Sequence, residues 1–218
     1  MTMRSCFILA MLGLMLAAGP LAADDKPAAT TPEPPPQKPG VMQTAVFGMG
    51  CFWCSEALFE RFRGVKVAIC GYAGGTAPNP TYEEVCSGNT GHAEVVEVVY
   101  DSSVISYQQL LDIFWSVHDP TTLDAQGDDV GTNYRSLILY ANDEQKRLAE
   151  ASKAEAQKKF NAPITTEIAP LKAFYQAEDY HQSYFKKHPD APYCAYVIEP
   201  KLQKLEKNPP PVPLNPGG

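Results

Sequence analysis

The stretch Gly48-Met-Gly-Cys51-Phe-Trp-Cys54-Ser-Glu-Ala-Leu-Phe-Glu-Arg-Phe-Arg-Gly64 decides the reading of this chain. An apolar run, Ala45 to Met49, enters it and is strand-like. Ala57, Leu58, Phe59 and Phe62 follow in a helix-like run that Gly64 stops, so the spacing predicts a helix over 51–63. Cys51 then stands at a strand-to-helix turn, in the first turn of the helix. Free backbone N–H groups and the positive dipole end favour a thiolate there. Gly48 and Gly50 allow the backbone to bend sharply beside it. Phe52 and Trp53 cannot both face inward with the core residues. At least one should flank the thiol as an apolar wall, suited to a substrate with a methyl group at its reacting centre.

Outward from this stretch, the chain falls into segments. In residues 1–23, Arg4 precedes the apolar run Cys6 to Leu16 and the small residues around Ala22-Ala23. That is the layout of a secretory signal peptide, and its apolar part is too short for a spanning helix. The expected location is exported, periplasmic or secreted; an uncleaved membrane anchor is the alternative. Residues 24–42 hold six prolines among Ala, Thr and Lys and read as an extended, disordered linker. Residues 43–206 have the length of one domain with a proper core. A proline-rich tail, 207–218, follows.

The formal net charge is -7, and -8 once residues 1–23 and their single Arg are set aside. No basic stripe exists, so nucleic acid and anionic membrane surfaces are poor partners. Five cysteines remain beyond the leader: Cys51, Cys54, Cys70, Cys86 and Cys194. An odd number in an exported protein leaves at least one thiol free or cycling.

Within the domain, Lys66–Tyr72 and His92–Tyr100 are strand-like, with the glycine-bearing loop Gly-Tyr-Ala-Gly-Gly between them. Ser106 can cap a helix carrying Leu110, Leu111, Phe114 and Val117. A polar loop spans roughly 119–133, before a strand over 134–140. Asn142 can cap a charged helix to about Phe160, and 164–168 suits one more strand. Strands alternating with helices predict an α/β sandwich built on a split βαβ arrangement.

On the 92–100 strand, Glu94 shares a face with Val96, Val98 and Tyr100, whereas Glu97 faces the other way. Burial raises a carboxyl pKa, so Glu94 is the candidate proton donor. The stretch Gly127 to Ser136, with its acids and Tyr134, enters a strand from a loop and is a third candidate cluster.

These stretches together resemble the peptide methionine sulfoxide reductases of type A. Gly-Cys-Phe-Trp-Cys, Gly-Tyr-Ala-Gly-Gly, Tyr82 in Pro-Thr-Tyr-Glu-Glu-Val-Cys, Gly91-His-Ala-Glu94, His118-Asp-Pro-Thr-Thr, Gly131-Thr-Asn-Tyr-Arg-Ser and Ala177-Glu-Asp-Tyr-His-Gln182 lie in that family's order. The resemblance runs from about Val46 to Leu205. It implies an α/β fold with a ferredoxin-like core and long wrapping loops. It implies that Cys51 attacks the sulfoxide sulfur and becomes a sulfenic acid, that Glu94 protonates the oxygen, and that Tyr82 and Tyr134 hydrogen-bond to it. Phe52 and Trp53 would hold the S-methyl group, and Asp129 matches the loop acid of the site. The substrate implied is the S epimer of methionine sulfoxide, free or in proteins. No bound cofactor or metal is implied; an external, thioredoxin-like thiol reductant is, and a monomer is the expected form.

The chain departs from the family in two places. Asp128 stands where Asn is common, which puts two acids side by side. Cys54 occupies a position that is often Gly, while Cys194 matches a resolving cysteine of many members; no cysteine follows it. Cys194, in a segment expected to be mobile between Pro192 and Pro200, ranks ahead of Cys54 as the resolving thiol. Cys86, expected to pack inside a short helical turn, ranks behind both. A thioredoxin-like Cys-x-x-Cys oxidoreductase, a zinc site from Cys51, Cys54, Cys86 and His92, and a non-catalytic binding module are the competing readings.

Overall fold

A computed structural model describes residues 40–215. The leader and nearly all of the linker read from the sequence lie outside the described residues. The first strand, β1 (Met42–Met49), leads through the Gly50–Cys51 turn into helix α1 (Phe52–Phe59). Strands β2 (Val65–Ala73) and β3 (Ala93–Asp101) flank the short helix α2 (Tyr82–Cys86). Helix α3 (Tyr107–Val117) follows, then a two-strand ribbon, β4 (Ala125–Gln126) and β5 (Asp129–Val130), and a 3-10 turn over Thr132–Tyr134. Next come β6 (Ser136–Tyr140), α4 (Asp143–Gln157), β7 (Glu167–Pro170) and β8 (Phe174–Gln176). Helix α5 (Tyr184–Lys187), a π turn at Cys194–Ile198 and helix α6 (Glu199–Lys207) complete the order.

The six-stranded sheet runs β7-β6-β1-β3-β2-β8. Its four inner strands, β6-β1-β3-β2, pair antiparallel and carry α1 and α3 between them, which is the ferredoxin-like split βαβ core. Only β7 joins in parallel, against β6. Alternation along β1 sends Ala45, Phe47 and Met49 to the main core and Val46 to a smaller cluster on the other face with Val95, Leu137 and Leu139. Phe47 stacks on Phe59 at 5.3 Å and meets Phe114 at 5.5 Å, tying β1 to both core helices.

Two helix starts form as their cap residues predict. Ser106 accepts from the Gln109 N–H in a full capping box, and Asn142 accepts from the Gln145 N–H. Helix α1 ends at Phe59 rather than Arg63, because Arg61 and Phe62 turn tightly onto the carbonyls of Leu58 and Phe59. The strand before α4 starts at Ser136, and β7 lies three residues later than the sequence pattern places it. Every residue of α1 except Trp53 is buried, since the sheet covers one side and the C-terminal segments cover the other.

The segment read as a separate tail docks on the end of α1. Arg63 N–H donates to the Pro213 carbonyl at 2.9 Å, and Asn215 N–H to that of Arg61 at 2.7 Å. Val212 is buried beneath them. Proline fixes φ along this segment, and its contacts to the end of α1 run through the Pro213 carbonyl and the Asn215 N–H.

Candidate active site

The turn into α1 depends on Gly50, whose φ is +88° and whose absent side chain leaves room for Gln126. Gly48, by contrast, sits in extended strand and serves close packing against Glu94 and Leu137. Cys51 is the residue before the first helical turn, and its side chain makes no capping hydrogen bond. A carboxyl from the neighbouring strand fills that role: Phe52 N–H donates to Glu94 Oε2 at 3.1 Å. The contact spans 42 residues of sequence and joins the thiol turn to the acid. Glu94 is 2% exposed on the helix-covered face of β3 with Val96, Val98 and Tyr100, and Glu97 faces away, as period-two alternation requires.

An aromatic wall stands beside the thiol. Phe52 is fully buried against Tyr72, Tyr82 and His181, with ring separations of 5.9, 6.4 and 4.9 Å. Trp53 is half-buried and stacks on Tyr184 at 3.8 Å. The Trp53 indole N–H donates to His181 Nδ1 at 3.1 Å, which places the imidazole proton on Nε2. Of the two aromatics only Trp53 shows a face to solvent.

Tyr82 opens α2, whose start is held by Thr81 and Glu84 in a capping box and by Glu178, which accepts from the Tyr82 N–H at 3.0 Å. The second oxygen of Glu178 accepts from Tyr72 OH at 2.8 Å. Tyr134 lies in the 3-10 turn before β6, half-buried and close to both Glu94 and Cys51, so that ionising either would raise its phenol. Between the two paired acids, Asp128 is exposed, while Asp129 accepts from Tyr193 OH at 2.8 Å. The loop acid turned toward the thiols is therefore Asp129.

A model of the peptide methionine sulfoxide reductases matches residues 43–211. The chain belongs to that family, in its type A branch. It is 52% identical over 166 residues to the peptide methionine sulfoxide reductase MsrA of Saccharolobus solfataricus, spanning 76% of this chain and 94% of that one. The MsrA of Nautilia profundicola is 56% identical over 166 residues, 76% of this chain and 95% of its own. Among solved structures, the reduced form of Mxr1 from Saccharomyces cerevisiae superposes with a TM-score of 0.67 at 37% identity, covering 70% of this chain and 89% of that one. Methionine sulfoxide reductase A of Corynebacterium diphtheriae gives 0.63 at 40% identity, covering 70% and 77%. As a peptide methionine sulfoxide reductase the chain is an oxidoreductase.

In this family member the charges are arranged around burial. Burial pushes the Glu94 carboxyl up to about 8; the Phe52 N–H works against the shift and Asp129 adds to it. Glu94 therefore carries its proton at neutral pH. Burial also raises the Cys51 thiol, with Cys54 and Glu94 adding to the effect. The resting Cys51 is thus a thiol, not the thiolate that its place at a helix start predicts, because loss of water outweighs one short helix end. Burial raises the phenols of Tyr82 and Tyr134 too, so both stay donors.

Other cysteines sit where the sequence did not place them. Cys194 lies fully buried in the π turn, not in an open loop, and Cys86 is exposed at the end of α2. All five cysteines among the described residues are free thiols. His92 uses both ring nitrogens on backbone: Nδ1 accepts from Gly75 N–H at 3.1 Å and Nε2 meets the Ala77 carbonyl at 2.7 Å. It fixes the glycine loop and is not turned toward the cysteines.

Five residues that shape the site carry no role in the sequence reading: Glu178, His181, Gln182, Tyr193 and Lys201. The first three belong to the Ala177–Gln182 stretch, which folds back under the wall. Gln182 pairs with both backbone groups of Cys70 as a strand would. Their partners across the site are 96 to 128 residues away, so no local periodicity marks them.

The raised Glu94 carboxyl has a consequence for stability. The folded state holds this proton more tightly than the unfolded chain, so the stability it contributes is full below about pH 4.3 and is lost as pH rises through about 8. Glu94→Gln cannot ionise. In urea titrations its stability relative to the unmutated protein should grow by on the order of 2–4 kcal/mol between pH 5 and pH 9. Parallel pH dependence of the two proteins would show that Glu94 is ionised at neutral pH.

Proposed function

We propose that the protein reduces the S epimer of methionine sulfoxide, peptide-bound or free, to methionine through a sulfenic acid on Cys51. The observation that carries this reading is the meeting of Cys51 with a buried, protonated Glu94 at the start of α1. A neutral S=O releases its oxygen only as that oxygen gains a proton. Glu94 supplies one, and Tyr82 and Tyr134 donate hydrogen bonds as charge builds on the oxygen. Phe52 and Trp53 receive the S-methyl group, which fixes the sulfur over Cys51 and selects one epimer.

The Cys51 sulfur bonds to the substrate sulfur while Glu94 protonates the oxygen. The oxygen passes to Cys51 and the thioether leaves as methionine, with Glu94 regaining a proton from the thiol. In sum, thiol plus sulfoxide gives sulfenic acid plus thioether. A second thiol then condenses with the sulfenic acid, releasing water, and an external thioredoxin-like dithiol reopens the disulfide. The chemistry requires no bound cofactor. The leader-like residues 1–23 support action on exported proteins, with reducing power supplied outside the cytosol.

The test is reduction of a methionine S-sulfoxide peptide with dithiothreitol. Cys51→Ser should abolish single-turnover release of methionine, and Glu94→Gln should slow it about 10²–10⁴-fold. Greater damage from Glu97→Gln would place the proton donor on the wrong face of β3. For export, the protein recovered from cells should begin near Asp24; a full-length cytoplasmic form would refute that part.

A further inference from the structure

Cys54 lies three residues beyond Cys51, in the first turn of α1, and its thiol faces the C-terminal segment. Lys201 Nζ, from α6, approaches Cys54 Sγ at 3.5 Å, and Tyr193 OH at 3.8 Å. Lys201 is half-buried and has no carboxylate within ion-pair distance among the described residues. A half-buried ammonium needs an anion, and here the polar group it meets is a thiol. The contact joins residues 147 apart.

We propose that Lys201 holds Cys54 as a thiolate aimed at the Cys51 sulfenic acid, which makes Cys54, rather than Cys194, the first thiol to resolve it; the inference rests on the sulfoxide-reductase reading above. Geometry favours Cys54 on both sides of the comparison. Cys51 and Cys54 are three apart at the helix start and their thiols lie within hydrogen-bond reach, so a small backbone adjustment at the N-terminal turn brings them into the span of a disulfide. Cys194 is fully buried in the π turn and would have to unwind Tyr193, a partner of Asp129, to leave it. In the step itself, Cys54 sulfur attacks Cys51 sulfur, the S–S bond forms and the S–O bond breaks. Hydroxide leaves with the bonding pair and takes a proton to become water. The sulfoxide has already supplied the oxidation, so no further oxidant is needed.

The charged and titratable groups facing Cys54 are Cys51 on α1, Glu94 on β3, Tyr193 and Cys194 on the C-terminal turn, and Lys201 on α6. Asp129 reaches it through Tyr193. His118, near Lys201, is kept neutral by burial, which holds it down to about 4. Lys201 is the cation of the group. Cys54 titrates at about 7, held down first by the Cys51 thiol's hydrogen bond and then by Lys201, against burial. At pH 7 that is about half thiolate, against roughly 3% for an ordinary thiol. Lys201 accounts for only part of that roughly fifteenfold difference, since the Cys51 hydrogen bond ranks ahead of it. The greater intrinsic nucleophilicity of a more basic thiolate offsets some of what its loss removes.

Two measurements test the proposal. In the first, enzyme that has released its first methionine is quenched at intervals, and the Cys51 sulfenic acid is trapped with dimedone and quantified. Disulfides are mapped by mass spectrometry. The unmutated protein should yield a Cys51–Cys54 bridge. Lys201→Met should lengthen the sulfenic acid lifetime about three- to tenfold at pH 7, with the decay rate still climbing through pH 9. The unmutated rate should level off above about pH 8, and Lys201→Arg should restore most of the speed. A Cys51–Cys194 bridge formed first, or a lifetime and pH profile unmoved by Lys201→Met, would overturn it.

The second measurement needs no sulfoxide. The thiolate absorbance of Cys54 is titrated in a Cys51→Ser background, with Cys54→Ser subtracted. Lys201→Met should raise the midpoint by at least about one pH unit; an unmoved midpoint would sink the role of Lys201 whatever the substrate proves to be. Absence of any sulfenic acid in the first measurement, with a moved midpoint in the second, would count against the Cys51 chemistry alone.

Discussion

The hydrogen bond from Phe52 N–H to Glu94 Oε2 constrains this site more than any other contact. A helix start leaves N–H groups without partners, and Cys51 does not cap its own helix. Glu94 reaches across from β3 to fill one of those places. That positions the acid beside the thiol, but it also commits a carboxyl to a site almost without water. Burial outweighs the stabilising N–H, and the carboxyl keeps its proton. The contact that fixes the helix start thus ends on a neutral acid, kept neutral by burial against the pull of the N–H.

Because α1 is buried on nearly every side, its environment comes from two directions. The sheet supplies Glu94, Tyr72 and the floor beneath Phe52. The C-terminal third supplies His181, Tyr184, Tyr193 and Lys201, which hold Trp53 and Cys54. The buried Glu56 of α1 accepts from Ser183 N–H at 2.8 Å, pinning the wrapping segment to the helix whose second turn it occupies. The two thiols three residues apart thus meet opposite surroundings. Cys51 faces a neutral acid, and Cys54 faces a cation.

Much of this was legible in the sequence where physics acts locally. The period of two along β3 separated Glu94 from Glu97, Ser106 and Asn142 marked helix starts, and the strand–turn–helix around Cys51 set the βαβ core. Family motifs placed Tyr82, Tyr134 and Asp129 in one site, and the structure gathers them around Glu94. Helix α1 was harder to delimit, because a helix buried all round carries no amphipathic stripe to show where it stops. The charge on Cys51 was misjudged for a related reason: helix position can be read from spacing, whereas desolvation depends on segments far along the chain. Lys201 and Tyr193 were invisible for the same cause. Each meets Cys54 across more than 130 residues, and nothing around Lys201 distinguishes it from a solvated face of α6.

The central claim is that Glu94 is protonated in the resting enzyme at neutral pH. Carbon-13 NMR of side-chain carboxyls, with the Glu94 resonance assigned by its loss in Glu94→Gln, measures this directly. The expected result is a Glu94 titration with a midpoint near 8, above that of Glu56, which burial pushes up to about 7, and well apart from the solvated glutamates. A midpoint between about 4 and 5, the range of a solvated glutamate, would contradict it.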